Sequence, residues 1–281
     1  MKILIGGCGW LGLALGASLV RRGHEVVGIR RSPAAAEKMD ALGIRPLILD
    51  LLRPGAADDL PGKMEAVVAS QAAGGGGAEN YRRTYVDATR ILLDHAESRG
   101  ASRFVYTGST GVFGQTDGSD VDETSPTLPA RPTAERLVEA EGQVLGRRGT
   151  VVRLSGLYGP GRLGVVERVR QGRLALGPGD QRYMNHCHLR DAVATVEAAL
   201  LRGRPGAVYH ASDAESLRVR ELVPWVAERL GIAAPSRTAP GASEPPAHRR
   251  ILAAATRREL DLRPIYPSVL DGLAAEKGWP R

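Results

Sequence analysis

The chain has 281 residues, 43% hydrophobic and 25% charged, enough for one large domain or two unequal ones with a full core. Its formal charge of +7 comes mostly from scattered arginines, and with 4% aromatics it offers no basic, aromatic-laced patch for nucleic acid. No apolar run approaches a membrane span, and two cysteines, Cys8 and Cys187, cannot build a disulfide framework, so a cytoplasmic protein with no membrane partner is expected.

Ile3 to Ile5 predicts a buried strand, Gly6, Gly9 and Gly12 a turn, and Leu13 to Arg22 a helix. That order forms a phosphate cradle. The glycines let the backbone approach a pyrophosphate, and the helix start favours negative charge. A merely structural turn is the plainer alternative. Cys8, inside the turn, reads as packing. Lys2 before apolar residues superficially resembles a signal peptide, but the glycines interrupt its apolar region.

His24 to Ile29 predicts the second strand, followed by Arg30, Arg31 and Ser32. An acidic residue there would bind the ribose 2′-hydroxyl of NAD. Two arginines suit a 2′-phosphate, so NADP(H) is expected in preference to NAD(H), with a solvated basic loop as the alternative. Next come a helix at Ala34 to Leu42, a strand at Arg45 to Leu49 closed by Asp50, and a strand at Ala66 to Ser70. Gln71, Ala72, Ala73 and four glycines, Gly74 to Gly77, lead into a helix from Glu79 to Ser98. Arg103 to Thr107 is a fifth strand, with Ser109 just past its end. The alternation predicts an α/β fold: a Rossmann-type doubly wound parallel sheet with a smaller C-terminal substrate-binding cap. Ser109 then falls on the carboxyl edge, where such folds bind ligands, although a turn-forming serine is the simpler reading.

Beyond Pro132, Thr133 to Arg147 predicts a helix and Thr150 to Leu154 a strand. Tyr183 to His188 and Ala207 to Ala211 read as strands, Val219 to Leu230 as a helix, and Ala233 to His248 as a loop or mobile flap. The expected division is a dinucleotide-binding domain over 1–158, with returning segments near 183–212, and a cap over 159–182 and 213–281. His186 and His188 share one strand face, but no third ligand of clear spacing accompanies them, so no metal is expected. His188 and Asp191 are expected to anchor the sheet to the cap. Arg162, Arg182, Arg249 and Arg250 are candidates for an anionic substrate such as a diphosphate sugar, against the alternative of solvated arginines.

Several ordered motifs resemble the extended short-chain dehydrogenase/reductase family, the nucleotide-sugar epimerases and dehydratases. They are the Gly6, Gly9, Gly12 spacing, Asp50 after the third strand, and Ser109 before Val112-Phe113-Gly114. Arg153 leading to Tyr158-Gly159-Pro160-Gly161, then His188-Leu189-Arg190-Asp191, Tyr266-Pro267 and Asp271-Gly272-Leu273 complete the series. The resemblance implies cofactor contacts from Gly6, Gly9, Trp10, Leu11, Gly12, Arg30, Arg31, Asp50, Gln71, Ala72, Arg136, Gly156 and Leu157. Gln71 to Ala73 are expected beneath the nicotinamide ribose, with the glycine run as a lid or an idle loop. A homodimer through the helices near Glu79 to Ser98 and Thr133 to Arg147 is also implied.

The family's chemistry uses a Tyr four residues before a Lys, helped by an upstream Ser or Thr. Arg136 fits the Lys position, and counting back four gives Pro132, which has no transferable proton. Arg136 can bind ribose hydroxyls but stays protonated. A helix Asn of the family's site corresponds to Tyr85. Three accounts follow. Ser109, Thr133, Glu135 or Tyr85 supplies the proton, the substrate needs none, or the chain binds cofactor without turnover. The leading function is an atypical oxidoreductase or epimerase acting on a polar carbonyl or hydroxyl small molecule, with a nucleotide sugar among the candidates. The alternative is a catalytically silent NADP(H)-sensing protein.

Overall fold

The computed structural model describes residues 1–236, 247–277 and Trp279. Of the expected loop at Ala233 to His248, 237–246 lie outside the described residues. The chain divides into two compact units. The first comprises Met1–Val112, Pro129–Arg153 and Val193–Tyr209, and the second Phe113–Leu128, Leu154–Ala192 and His210–Arg281.

Apolar runs with few polar interruptions build the central sheet, as expected of strands covered on both faces. In chain order the elements are β1 (Lys2–Gly6), α1 (Trp10–Arg21), β2 (Glu25–Arg30), α2 (Ala36–Asp40), β3 (Arg45–Ile48) and β4 (Ala66–Ala69). A long helix follows in three parts: α3 (Ala78–Tyr81), a π-helical segment (Arg82–Asp87) and α4 (Ala88–Ser98). After β5 (Arg103–Ser109), the two-residue strand β6 (Asp120–Val121) belongs to the second unit. Then come α5 (Pro132–Gly146) and β7 (Thr150–Leu154).

The seven-stranded sheet has the order β11-β7-β5-β4-β1-β2-β3, where β11 spans Val208–Ala211. Pairing is parallel from β5 through β4, β1 and β2 to β3. The chain therefore steps outward in one direction from β1 to β3, then in the other from β4. The reversal falls between β1 and β4, the point where doubly wound sheets place ligands outside the carboxyl ends of their strands. Leu4, Val67, Leu92, Ala140, Val144 and Val151 pack the core of this unit. Tyr106 is buried with them, and among the described residues its hydroxyl has no hydrogen-bond partner.

Several element boundaries differ from the sequence expectation for local reasons. The first helix starts at Trp10 rather than Leu13, because Gly9 is its N-cap and Gly12 already lies within it. The expected helix at Ala34 to Leu42 opens with a 3-10 turn, Pro33–Ala35, and ends at Asp40. The strand expected at Tyr183 to His188 is two strands, β9 (Tyr183–Met184) and β10 (His186–His188). Asn185 breaks the run. Its Oδ1 accepts from Ile251 N at 2.8 Å and its Nδ2 donates to Arg249 O at 2.9 Å.

The second unit holds β8 (Gly156–Tyr158), which pairs in parallel with β10, and β12 (Leu217–Arg218), which pairs with β9. Its helices are α6 (Gly164–Arg170), the start of α7 (Leu189–Arg202), α8 (Val219–Leu230), α9 (Ala254–Glu259) and α10 (Val269–Ala275). A last strand, β13 (Arg250–Ile251), pairs with β6. Tyr158, Val165, Val169, Leu222, Val226 and Leu273 form its core. Among the described residues, no helix is long and apolar enough to cross a membrane.

Candidate functional site

The turn after β1 is tighter than its three evenly spaced glycines suggest. Gly7, not among the expected residues, takes the left-handed conformation at φ 81°, and a Cβ there would meet the backbone N and Cα of Gln71 at 2.6 Å. Only glycine allows the β1 turn and the end of β4 to approach so closely. Gly12 serves helix packing, since its Cβ would lie 2.8 Å from Gly7 O. Gly6 closes β1, and Trp10, Leu11 and Gly12 form the first turn of α1. That turn carries no acidic side chain, and no side chain caps it. Its backbone N–H groups and dipole therefore present positive potential at the switch point.

Arg30 ends β2, and its Nη1 lies 3.1 Å from where a Cβ on Gly9 would stand. The guanidinium thus sits beside the glycine turn, while Arg31 next to it is exposed. No carboxylate pairs with either arginine among the described residues. Cys8 is buried, and burial pushes its thiol up to about 11, so it is a packing residue beneath the turn. Asp50 is exposed after β3, where its Oδ1 accepts from Leu52 N at 3.0 Å and shapes the local turn.

Ser70 and Gln71 leave β4 beside Gly6 and Gly7, with Ser70 N donating to Gly6 O at 2.7 Å. Both polar atoms of the Gln71 amide are buried without a hydrogen-bond partner among the described residues. Such an arrangement is costly unless a ligand or water completes it. Ala72 follows, and Ala73 N donates to Tyr85 Oη at 3.3 Å. Asn80, another residue without a sequence signal, donates from Nδ2 to Ala73 O at 3.1 Å and Gly75 O at 2.7 Å, folding the glycine run against the end of β4.

Ser109 ends β5, and its Oγ accepts from Gly111 N at 3.0 Å. The turn-forming role is therefore real, and the hydroxyl hydrogen is not used by that bond. Pro132 is the first residue of α5. Thr133 is half-buried on the next position, Glu135 is exposed, and Arg136 is half-exposed and ion-paired with Glu139 on the same helix. Below this edge lies a pair the sequence did not reveal. Arg153 of β7 holds Glu141 of α5 through Nε at 3.1 Å and Nη2 at 2.8 Å, both side chains buried.

The remaining candidates lie in the second unit. Gly156 and Leu157 form most of β8. Arg162 is exposed and Arg182 half-buried. Arg249 is buried, which pushes its guanidinium down to about 10. Arg250 is held by both carboxylate oxygens of Asp120 and lies near the Tyr183 ring. His186 and His188 are buried, and burial pushes His186 down to about 4. His188 Nε2 lies 2.8 Å from Glu276 Oε1, while Asp191 accepts from Ile265 N at 2.7 Å and Tyr266 N at 3.1 Å. These two residues tie down the C-terminal segment within the unit. Among the described residues, no three His, Cys, Asp or Glu side chains are grouped to hold a metal ion.

The profile of the NAD dependent epimerase/dehydratase family matches residues 3–212. Protein YeeZ of Escherichia coli K12 is 30% identical over 246 residues, covering 83% of this chain and 85% of its own length. The 2-alkyl-3-oxoalkanoate reductase of Stenotrophomonas maltophilia is 31% identical over 255 residues, covering 82% of this chain and 76% of the relative. In fold, the chain matches the UDP-glucuronic acid 4-epimerase of Bacillus cereus with a TM-score of 0.81, at 20% identity over 98% and 97% of the two chains. The glycine turn, the doubly wound sheet and these similarities agree, and the chain belongs to the NAD-dependent epimerase/dehydratase family.

Proposed function

We propose that the protein is an NADP(H)-dependent oxidoreductase acting on the carbonyl or hydroxyl group of a small polar molecule, a nucleotide sugar being one candidate. The observation that carries this reading is the convergence on the β1–β4 switch point of a helix start with no side-chain cap, the Arg30 guanidinium beside Gly9, and the buried Gln71 amide, which has no hydrogen-bond partner among the described residues. The N–H groups of the α1 start would take the pyrophosphate. Arg30 and Arg31 would take a 2′-phosphate, and the Gln71 amide would pair with a ribose or nicotinamide polar group. Arg136 would reach ribose hydroxyls on leaving Glu139, and Ser109 would donate to the substrate oxygen. When bound, the cofactor supplies or accepts a hydride. The named activity of the Stenotrophomonas relative, a reductase, supports a carbonyl substrate.

Titration with both cofactors and loss of NADPH absorbance over a panel of 3-oxo acids and nucleotide sugars test this reading. Ser109→Ala is expected to lower turnover about 10²–10³-fold, the usual effect of deleting one donor to a developing oxyanion. Arg30→Ala with Arg31→Ala is expected to weaken NADPH about 10–100-fold with little effect on NADH, since charged hydrogen bonds contribute about 1.5–3 kcal/mol. NADH binding as tightly as NADPH in the parent would overturn the preference. A second reading, cofactor binding without turnover, draws on Pro132 and on the engagement of Arg136 by Glu139. NADPH binding with no turnover across the panel is its expected signature.

A further inference from the structure

We propose that Tyr85 is the general acid of this protein, presented on the carboxyl edge of β4 and β5 by the π-helical segment. The inference rests on the nicotinamide reading above. Tyr85 lies in the π segment Arg82–Asp87, and single π turns inside helices recur at functional positions because they redirect side chains without ending the helix. The segment is held from α5, where Gln143 Nε2 donates to Val86 O at 2.8 Å. Its neighbour Tyr81 packs against the ring at 5.1 Å between centroids.

The phenol is placed by its oxygen. Tyr85 Oη accepts the Ala73 N–H at 3.3 Å, and its own hydrogen meets no acceptor among the described residues. Ala69 pairs with Tyr106 in register, so the segment leaving β4 from Ser70 starts beside Thr107 to Ser109, the last residues of β5. Tyr85 and Ser109 therefore serve one edge. Burial, the largest influence, pushes the Tyr85 phenol up above its ordinary value, which keeps it protonated at neutral pH. The Ala73 N–H acts in the opposite direction and would stabilise a phenolate once formed.

The competing groups are poorer acids or poorly placed. The hydroxyls of Ser109 and Thr133 are aliphatic alcohols, far weaker acids than a phenol. Glu135 is exposed. Arg136 does not release its proton. A carbonyl that receives a hydride at carbon from reduced nicotinamide needs one proton at oxygen. The Tyr85 O–H bond breaks, the new O–H bond forms on the product alcohol, and the phenolate regains a proton from water. Run backwards, the phenolate accepts the alcohol proton as the hydride leaves.

The test uses the full chain, Tyr85→Phe and the control Tyr106→Phe, which deletes a buried hydroxyl that has no hydrogen-bond partner among the described residues. The first readout needs no turnover. Oxidised nicotinamide carries a positive ring, so binding it should draw out the Tyr85 phenolate at lower pH, seen as tyrosinate absorbance in the ultraviolet. The titration of the parent is expected to move down by at least ~1 pH unit on binding NADP⁺. Tyr106→Phe should keep the shift and Tyr85→Phe should lose it. Identical titrations of free and bound parent would overturn the assignment to Tyr85 alone, whereas failure of the parent to bind either cofactor would remove the nucleotide reading with it. The second readout is turnover. Tyr85→Phe should bind NADPH within about twofold of the parent and lose about 10²–10⁴-fold in rate. Retention of the parental rate and pH profile would overturn the proposal.

Discussion

Glu141→Ala is expected to destabilise the protein by about 3–5 kcal/mol, the usual consequence of removing one partner of a buried ion pair. The side chains of Arg153 and Glu141 are 6% and 3% exposed, and the pair is bidentate. Removing the carboxylate takes the bidentate ion-pair partner from a buried guanidinium. Burial outweighs Arg153 in setting the Glu141 carboxyl, which is held above the ordinary carboxylate range. Replacing both, as in Glu141→Leu with Arg153→Met, should therefore recover most of the loss. Urea denaturation of the two variants checks this: a double variant as unstable as the single one would sink the argument. The pair also lies directly behind the end of β5, since a Cβ on Gly108 would stand 2.9 Å from Glu141 Oε1. It ties α5 to β7, the strand next to β5 in the sheet.

The second large effect is a stability that falls as pH rises, governed by Asp213. This carboxyl is buried in the second unit, Oδ1 has no hydrogen-bond partner among the described residues, and burial pushes it up to about 9. Asp191 and Asp271 add negative charge around it, while the His188 N–H and Arg257 act in its favour. An unfolded Asp titrates near ~3.9. Between those values the folded state holds a proton that the unfolded state has released. The stabilisation is then complete below about pH 4 and is lost as pH rises through about 9, at up to about 1.4 kcal/mol per unit. Asp213→Asn keeps the shape and an acceptor for the His188 N–H but removes the titration. It is expected to match the parent near pH 4, to exceed it by a few kcal/mol at pH 8, and to flatten the curve between. Denaturation midpoints that change equally with pH in both proteins would exclude Asp213 as the cause.

Legibility in the sequence followed the range of the interactions. The strand–glycine–helix start is local chemistry, and β1, β4, β7 and α8 lie where apolar spacing and turn residues put them. Even Pro224 inside α8 did not displace that helix, whose ends match the expectation. The π segment was invisible because its extra residue leaves the helical pattern of apolar side chains almost unchanged. The break at Asn185 was invisible because the partners of its side chain, Ile251 and Arg249, are more than sixty residues away. In the candidate site, Arg30 and Ser109 were legible as residue types at the ends of strands. Gly7 and Asn80 were not, because their roles depend on what approaches them: the Gln71 backbone in one case and the Ala73 and Gly75 carbonyls in the other.

The sequence by itself determined the alternation of the central strands and helices, the glycine turn after β1 and the basic end of β2, since each depends on periodicity and backbone freedom within a few residues. Tertiary structure alone decided that the Gln71 amide is buried without a hydrogen-bond partner among the described residues, that Arg136 pairs with Glu139, and that Tyr85 reaches the segment leaving β4. Burial and pairing are properties of neighbours brought together by folding, and they decide which polar group keeps its proton, which loses its partner, and which is left to meet a ligand.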